Sequence, residues 1–188
     1  MTRKLTFAIS LAFAAGSAAQ PRKIDTAKSV MTVHVSKAGV LSALGHNHEI
    51  SAPLAAGTVD TTARTVELRV RAAALKVHDP EASDKDRAEI QTTMLGPEVL
   101  DTANNAEISF RSTTAAKAGD NLWRVQGELT LHGQHHPVTL DVREVAGHFE
   151  GDCHFKQSDF GIKPVKAGGG AVRTKDEVRI EFQIYLVP

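Results

Sequence analysis

One cysteine, one tryptophan, one tyrosine and an aromatic content of only 5% leave this chain of 188 residues few of the usual devices for stabilising a small domain. A lone thiol at Cys153 excludes an internal disulfide, so stability must come from packing. Lysine plus arginine equals aspartate plus glutamate at 22 each, and no block of like charge stands out. That balance argues against nucleic acid or an anionic membrane surface as a partner. Beyond residue 15 no apolar run is long enough to cross a bilayer as a helix. No solenoid or propeller period is present, and Gly168-Gly169-Gly170 is the only low-complexity stretch. Ser42, Ser51 and Ser158 lack the Gly-x-Ser-x-Gly setting of a nucleophile elbow, and no glycine-rich loop joins a strand to a helix for phosphate binding.

What is present begins with a leader. Arg3 and Lys4 precede the apolar run Leu5–Ala15, and Ser17-Ala18-Ala19 supplies the small residues a leader peptidase reads. Residues 1–19 are therefore expected to be a signal peptide, with 20–188 as a single mature domain in the periplasm or outside the cell. About 170 residues suffice for one domain with a sizeable core.

The mature sequence is dominated by alternation of period two, the mark of strands with one buried face. Val178, Ile180, Phe182, Ile184 and Leu186 alternate with polar residues. The pattern recurs at Met31, Val33 and Val35; at Val66, Leu68 and Val70; at Ile108 and Phe110; and at Val138, Leu140 and Val142. It is also clear at Trp123, Val125, Leu129 and Leu131. Phe149, Gly151, Cys153 and Phe155 share one parity, which makes Cys153 a buried small hydrophobe rather than a nucleophile. Turn signals at Gly39, Gly57, Asp60–Arg64, Ala118–Asn121, Gly133-Gln134 and Gly168–Gly170 separate the runs. Between the strand groups, Ser83 followed by Asp84 and Asp86 reads as the capped start of a short helix ending at Gly96-Pro97. The expected fold is all-β, an antiparallel barrel of about eight strands with one inserted helix, since curling removes exposed edges. Asp79, Glu81, Asp84, Asp86 and Glu89 read as a solvated acidic face around that helix start.

Several segments together resemble the YceI-like family. They are Ile24-Asp25 leading into a strand, Leu44–Ile50 (Leu-Gly-His-Asn-His-Glu-Ile), Glu107–Thr113, Gly127–Gly133 and Asp159–Ile162. The resemblance spans most of the mature chain and rests on the order of the motifs. It implies a lipocalin-like barrel that holds a long apolar molecule, a polyisoprenoid or isoprenoid quinone, in an exported bacterial protein. The chain departs from the family pattern at His46-Asn47-His48, where a glycine followed by Phe-type residues is usual.

Nine histidines carry the remaining chemistry. His46 and His48 share the parity of Ile50, and His136 that of Val138, so all three are expected to point inward. His34, His132, His148 and His154 are expected to point outward. The inward histidines are candidates for a polar clamp on a ligand head group. The alternative is a metal site on His46 and His48 in a cupin-like enzyme, although the third and fourth ligands and a second cupin motif are missing. A third reading is a structural or stress-related protein whose barrel is full. The expected function is binding, without catalysis or cofactor. Candidate wall residues are Val33, Val35 and Ile50 from the first half, then Phe110, Trp123, Val125, Leu129 and Leu131. Phe149, Phe155, Ile180 and Phe182 complete the set. Self-association is compatible with the sequence.

Overall fold

A computed structural model describes residues 20–40, 43 and 47–188. The expected leader, and His46 with it, lie outside the described residues.

Alternation becomes one continuous antiparallel sheet. Its long strands are β2 (Val30–Ala38), β5 (Thr65–Arg71), β7 (Glu107–Gly119), β8 (Leu122–Leu131), β9 (Gln134–Val145), β10 (His148–Lys156) and β12 (Val172–Tyr185). Shorter strands are β1 (Arg22–Lys23), β3 (His48–Ser51), β4 (Leu54–Asp60), β6 (Lys76–Val77) and β11 (Lys166–Ala167). The order is β1-β4-β5-β7-β8-β9-β10-β12-β2-β3-β6, with β11 paired to β12. Among the described residues the sheet therefore has 12 strands rather than about eight. The additions are strands of two residues, too short to show a period, and β4. In β4 the run Leu54-Ala55-Ala56-Gly57-Thr58-Val59-Asp60 offers no apolar alternation. Gly57 sits inside this strand instead of at a turn. A Cβ there would meet Ile24 Cδ1 and the Glu67 carbonyl, so glycine is needed for close approach.

The sheet curls on itself into a half-barrel. At one end the N-terminal segment ties its limbs together: β1 pairs with β4, and Ile24 bridges to Leu186 just past β12. Ile24 N–H donates to Gly57 O and Val187 N–H to Lys23 O, both at 2.9 Å. The other end carries α1 (Asp84–Leu95). Ser83 Oγ caps it by accepting from Asp86 N–H, and Gly96 N–H closes it on the Thr92 and Thr93 carbonyls. Met94 is its buried residue, and Ile90 and Leu95 pack against the core.

Inside the curl two aromatic–glycine contacts fill the space. A Cβ on Gly127 of β8 would collide with the Phe110 ring, and a Cβ on Gly151 of β10 would lie 2.9 Å from Phe182 Cζ. Each missing side chain leaves room for a neighbouring ring to lie against backbone. Cys153 is buried beside them, as parity indicates, and loss of water pushes its thiol up to about 11, with the Asp152 carboxylate adding to the effect.

Candidate functional site

Toward the α1 end the filling stops, and a cavity of about 120 Å³ remains. Val33 and Val35 of β2, Ile50 of β3, Leu129 and Leu131 of β8, Phe155 of β10 and Ile180 of β12 line it, as alternation suggests. Met31, Ile108 and Val178 add to it from the same strand faces. Leu75, Met94, Val99, Leu100 and Ile162 close it from α1 and the connecting segments, where strand parity gives no guidance. Among the described residues, Gln157 is the one polar residue of the lining.

The cavity continues outward. A vestibule of about 730 Å³ shares Val35, Ile50, Met94, Val99 and Gln157 with it and opens between α1, β2, β11 and β12. Its rim is mixed in charge: Asp86, Glu89 and Glu98 come from α1 and the turn after it, and Lys37, Lys166 and Arg173 from the strands opposite. Such a rim stays hydrated while the interior stays dry.

Other candidate wall residues lie elsewhere. Phe110, Val125 and Phe182 are buried inward but fill the core, because Gly127 and Gly151 admit the two phenyl rings. Phe149 packs against the core beside Ile184, away from the cavity lining. Trp123 packs against the core near the β7–β8 turn, with the Lys117 ammonium 5.6 Å and the Arg64 guanidinium 5.8 Å from its ring centroid. Parity assigns a face but not a depth along the barrel, and these residues differ from the true lining only in depth.

Of the histidines, His48 reaches the vestibule. Its Nδ1 donates to Asp79 Oδ2 at 2.6 Å, and the second Asp79 oxygen accepts from Glu49 N–H at 2.8 Å. Asp79 is 1% exposed. It is therefore a buried anchor rather than part of the solvated acidic face. The signal for this was in the sequence, since Asp79 continues the parity of Leu75 and Val77, both buried. With Nδ1 held by a carboxylate, Nε2 is the nitrogen left for a ligand. His136 does not line the cavity. It packs edge-on against Phe160 at 5.1 Å, and Phe160 in turn against Phe155 at 5.3 Å, a filled aromatic group. His34 bonds Glu181 and His154 bonds Asp152 on the outer face, whereas His148 is largely shielded by stacking on Tyr185 at 4.7 Å. Among the described residues, no three His, Cys, Asp or Glu side chains converge as a metal ion would need.

Gln157 is likewise a site residue that alternation could have found, since it continues the parity of Phe149 to Phe155. It begins a short 3-10 turn after β10, is 7% exposed, and its Nε2 donates to Lys175 O at 2.6 Å.

A curled antiparallel sheet with an apolar cavity beneath α1 invites comparison with known proteins. The profile of the YceI-like domain matches residues 23–186. The chain belongs to the YceI-like family. A UPF0312 protein of Shewanella sp. (strain W3-18-1) is 27% identical over 168 residues, covering 82% of this chain and 83% of the relative. Protein YceI of Escherichia coli O157:H7 is 34% identical over 91 residues, covering 43% of this chain and 47% of its own length. Among solved structures, BcnA of Burkholderia cenocepacia superposes with a TM-score of 0.62 at 21% identity, covering 88% of this chain and 99% of BcnA. The YceI protein of Campylobacter jejuni superposes with a TM-score of 0.51 at 13% identity, over 66% of this chain and 72% of its own. At these identities the two structures speak for the YceI-like fold alone.

Proposed function

We propose that this YceI-like protein is an exported carrier that binds, without catalysis, one long apolar molecule: a polyisoprenoid, an isoprenoid quinone or a related lipid. One observation carries the reading. The curled sheet encloses a space whose lining, among the described residues, is apolar except for Gln157 and which opens directly into a larger, charge-rimmed vestibule. An apolar cavity of ~150 Å³ stays dry and admits a benzene-sized group. The 120 Å³ cavity accordingly takes the end of a branched chain, and the vestibule of about 730 Å³, within the usual range for ligand sites, takes more of its length. Apolar area removed from water supplies the affinity at roughly 25 cal/mol per Å².

Extraction of the purified protein with organic solvent, followed by mass spectrometry, tests the reading. A chain-like lipid in near-stoichiometric amount is expected. Clean extracts, together with no uptake of added isoprenoid, would leave the full-barrel alternative. Export rests on the basic start, the apolar run and the small residues of the first 19 positions. The intact mass of the periplasmic protein should correspond to a start near Gln20, and a mass retaining residues 1–19 would overturn it.

A further inference from the structure

Gln157 stands where the cavity meets the vestibule and lines both. Its amide has a fixed orientation, because a carbonyl, Lys175 O, can be met only by Nε2 and is met at 2.6 Å. Oε1 then faces away from that bond and receives no donor among the described residues. It is not sealed in, however. The residue borders both the cavity and the vestibule, and Oε1 is not among the fully enclosed side-chain atoms that lack a partner. The residue is only 7% exposed, and Ile50, Met94 and Val99 line both spaces with it.

From this we infer that the bound molecule ends, or is substituted, with a hydrogen-bond donor, a hydroxyl or an amide N–H, which Gln157 Oε1 receives. This rests on the proposed binding of an apolar chain and narrows its class. A quinone carbonyl or an ether would set an acceptor against an acceptor. An ionised carboxylate or phosphate would set a negative charge there. His48, whose Nδ1 is held by Asp79, lines the same vestibule. The rim does not select an anion, since Asp86, Glu89 and Glu98 oppose Lys37, Lys166 and Arg173 around the same opening.

The test compares a long-chain prenyl alcohol with its methyl ether, which keeps the chain and the oxygen but removes the donor. The wild-type protein should bind the alcohol roughly tenfold or more tightly, the fold-change that an unpaired buried acceptor costs. In Gln157→Met, which keeps an unbranched side chain and loses the acceptor, that preference should collapse while binding of the ether persists. Gln157→Leu serves the same purpose if the Met variant does not fold. Equal affinity of the wild type for the two compounds would overturn the inference and leave the carrier reading standing. A preference fully retained in a folded Gln157 variant would remove Gln157 from it. Failure of both compounds to bind would overturn the carrier reading itself.

Discussion

Single residues show how far the inside of the curl is removed from water. Cys153 is 5% exposed, and burial raises its thiol from 9.0 to about 11. The sign follows from the proton balance: above pH 9 the unfolded chain gives up this proton while the folded chain keeps it. The contribution to stability is complete below 9.0 and is lost as pH rises through about 11, amounting to up to about 3 kcal/mol. Denaturant titrations of wild type and Cys153→Ala across that window should therefore show the wild-type advantage shrinking. Parallel profiles would contradict the burial. Asp79 and Gln157 make the complementary point for polar groups, each buried with a defined set of bonds. Both were legible in the sequence as continuations of an inward parity, and both were obscured by the habit of assigning polar residues to the surface.

At the level of elements, alternation reveals the long strands, because each presents one face to a common interior. It is silent on β1, β6 and β11, which are too short for any period, and on β4, where a register shift between Leu54 and Ala56 puts the buried Leu54 and Val59 on opposite parities. The capped start of α1 is legible from Ser83, Asp84 and Asp86, but not that Met94 and the following Val99 and Leu100 roof a cavity. The division between filled and open interior depends on glycines opposite aromatics, as at the β9–β10–β12 junction. Gly151 lies between Val142 and Phe182 in the sheet, and a Cβ there would meet the Asp141 carbonyl as well as the Phe182 ring. Gly151→Ala should therefore lower stability by about 2–3 kcal/mol, the cost of overpacking against backbone. Gly147→Ala, in the β9–β10 turn with φ +91° and open space around it, should lose only about 1 kcal/mol from backbone strain. Urea denaturation of the two variants decides the matter, and equal losses would contradict the packing described.

For the whole molecule, the two ends of the half-barrel differ in kind. One is tied shut by the N-terminal segment running between β4 and β12, with the Phe110 and Phe182 rings filling the interior. The other is left apolar and open beneath α1. This asymmetry fits the proposed carrier role, in which a chain would enter at one end and meet a floor. Val33 occupies the cavity wall between Ile50 and Ile180 in the sheet, so Val33→Phe enlarges a side chain directly into the empty space. The most direct measurement is a titration of lipid-free wild type and Val33→Phe with a fluorescent apolar-chain probe, with thermal unfolding recorded on the same samples. Saturable binding of one probe per wild-type chain is predicted, with affinity at least roughly tenfold weaker in a Val33→Phe protein that still unfolds cooperatively, because the ligand and the added ring compete for one volume. Binding of equal strength in both proteins, or none in the wild type, would contradict the account.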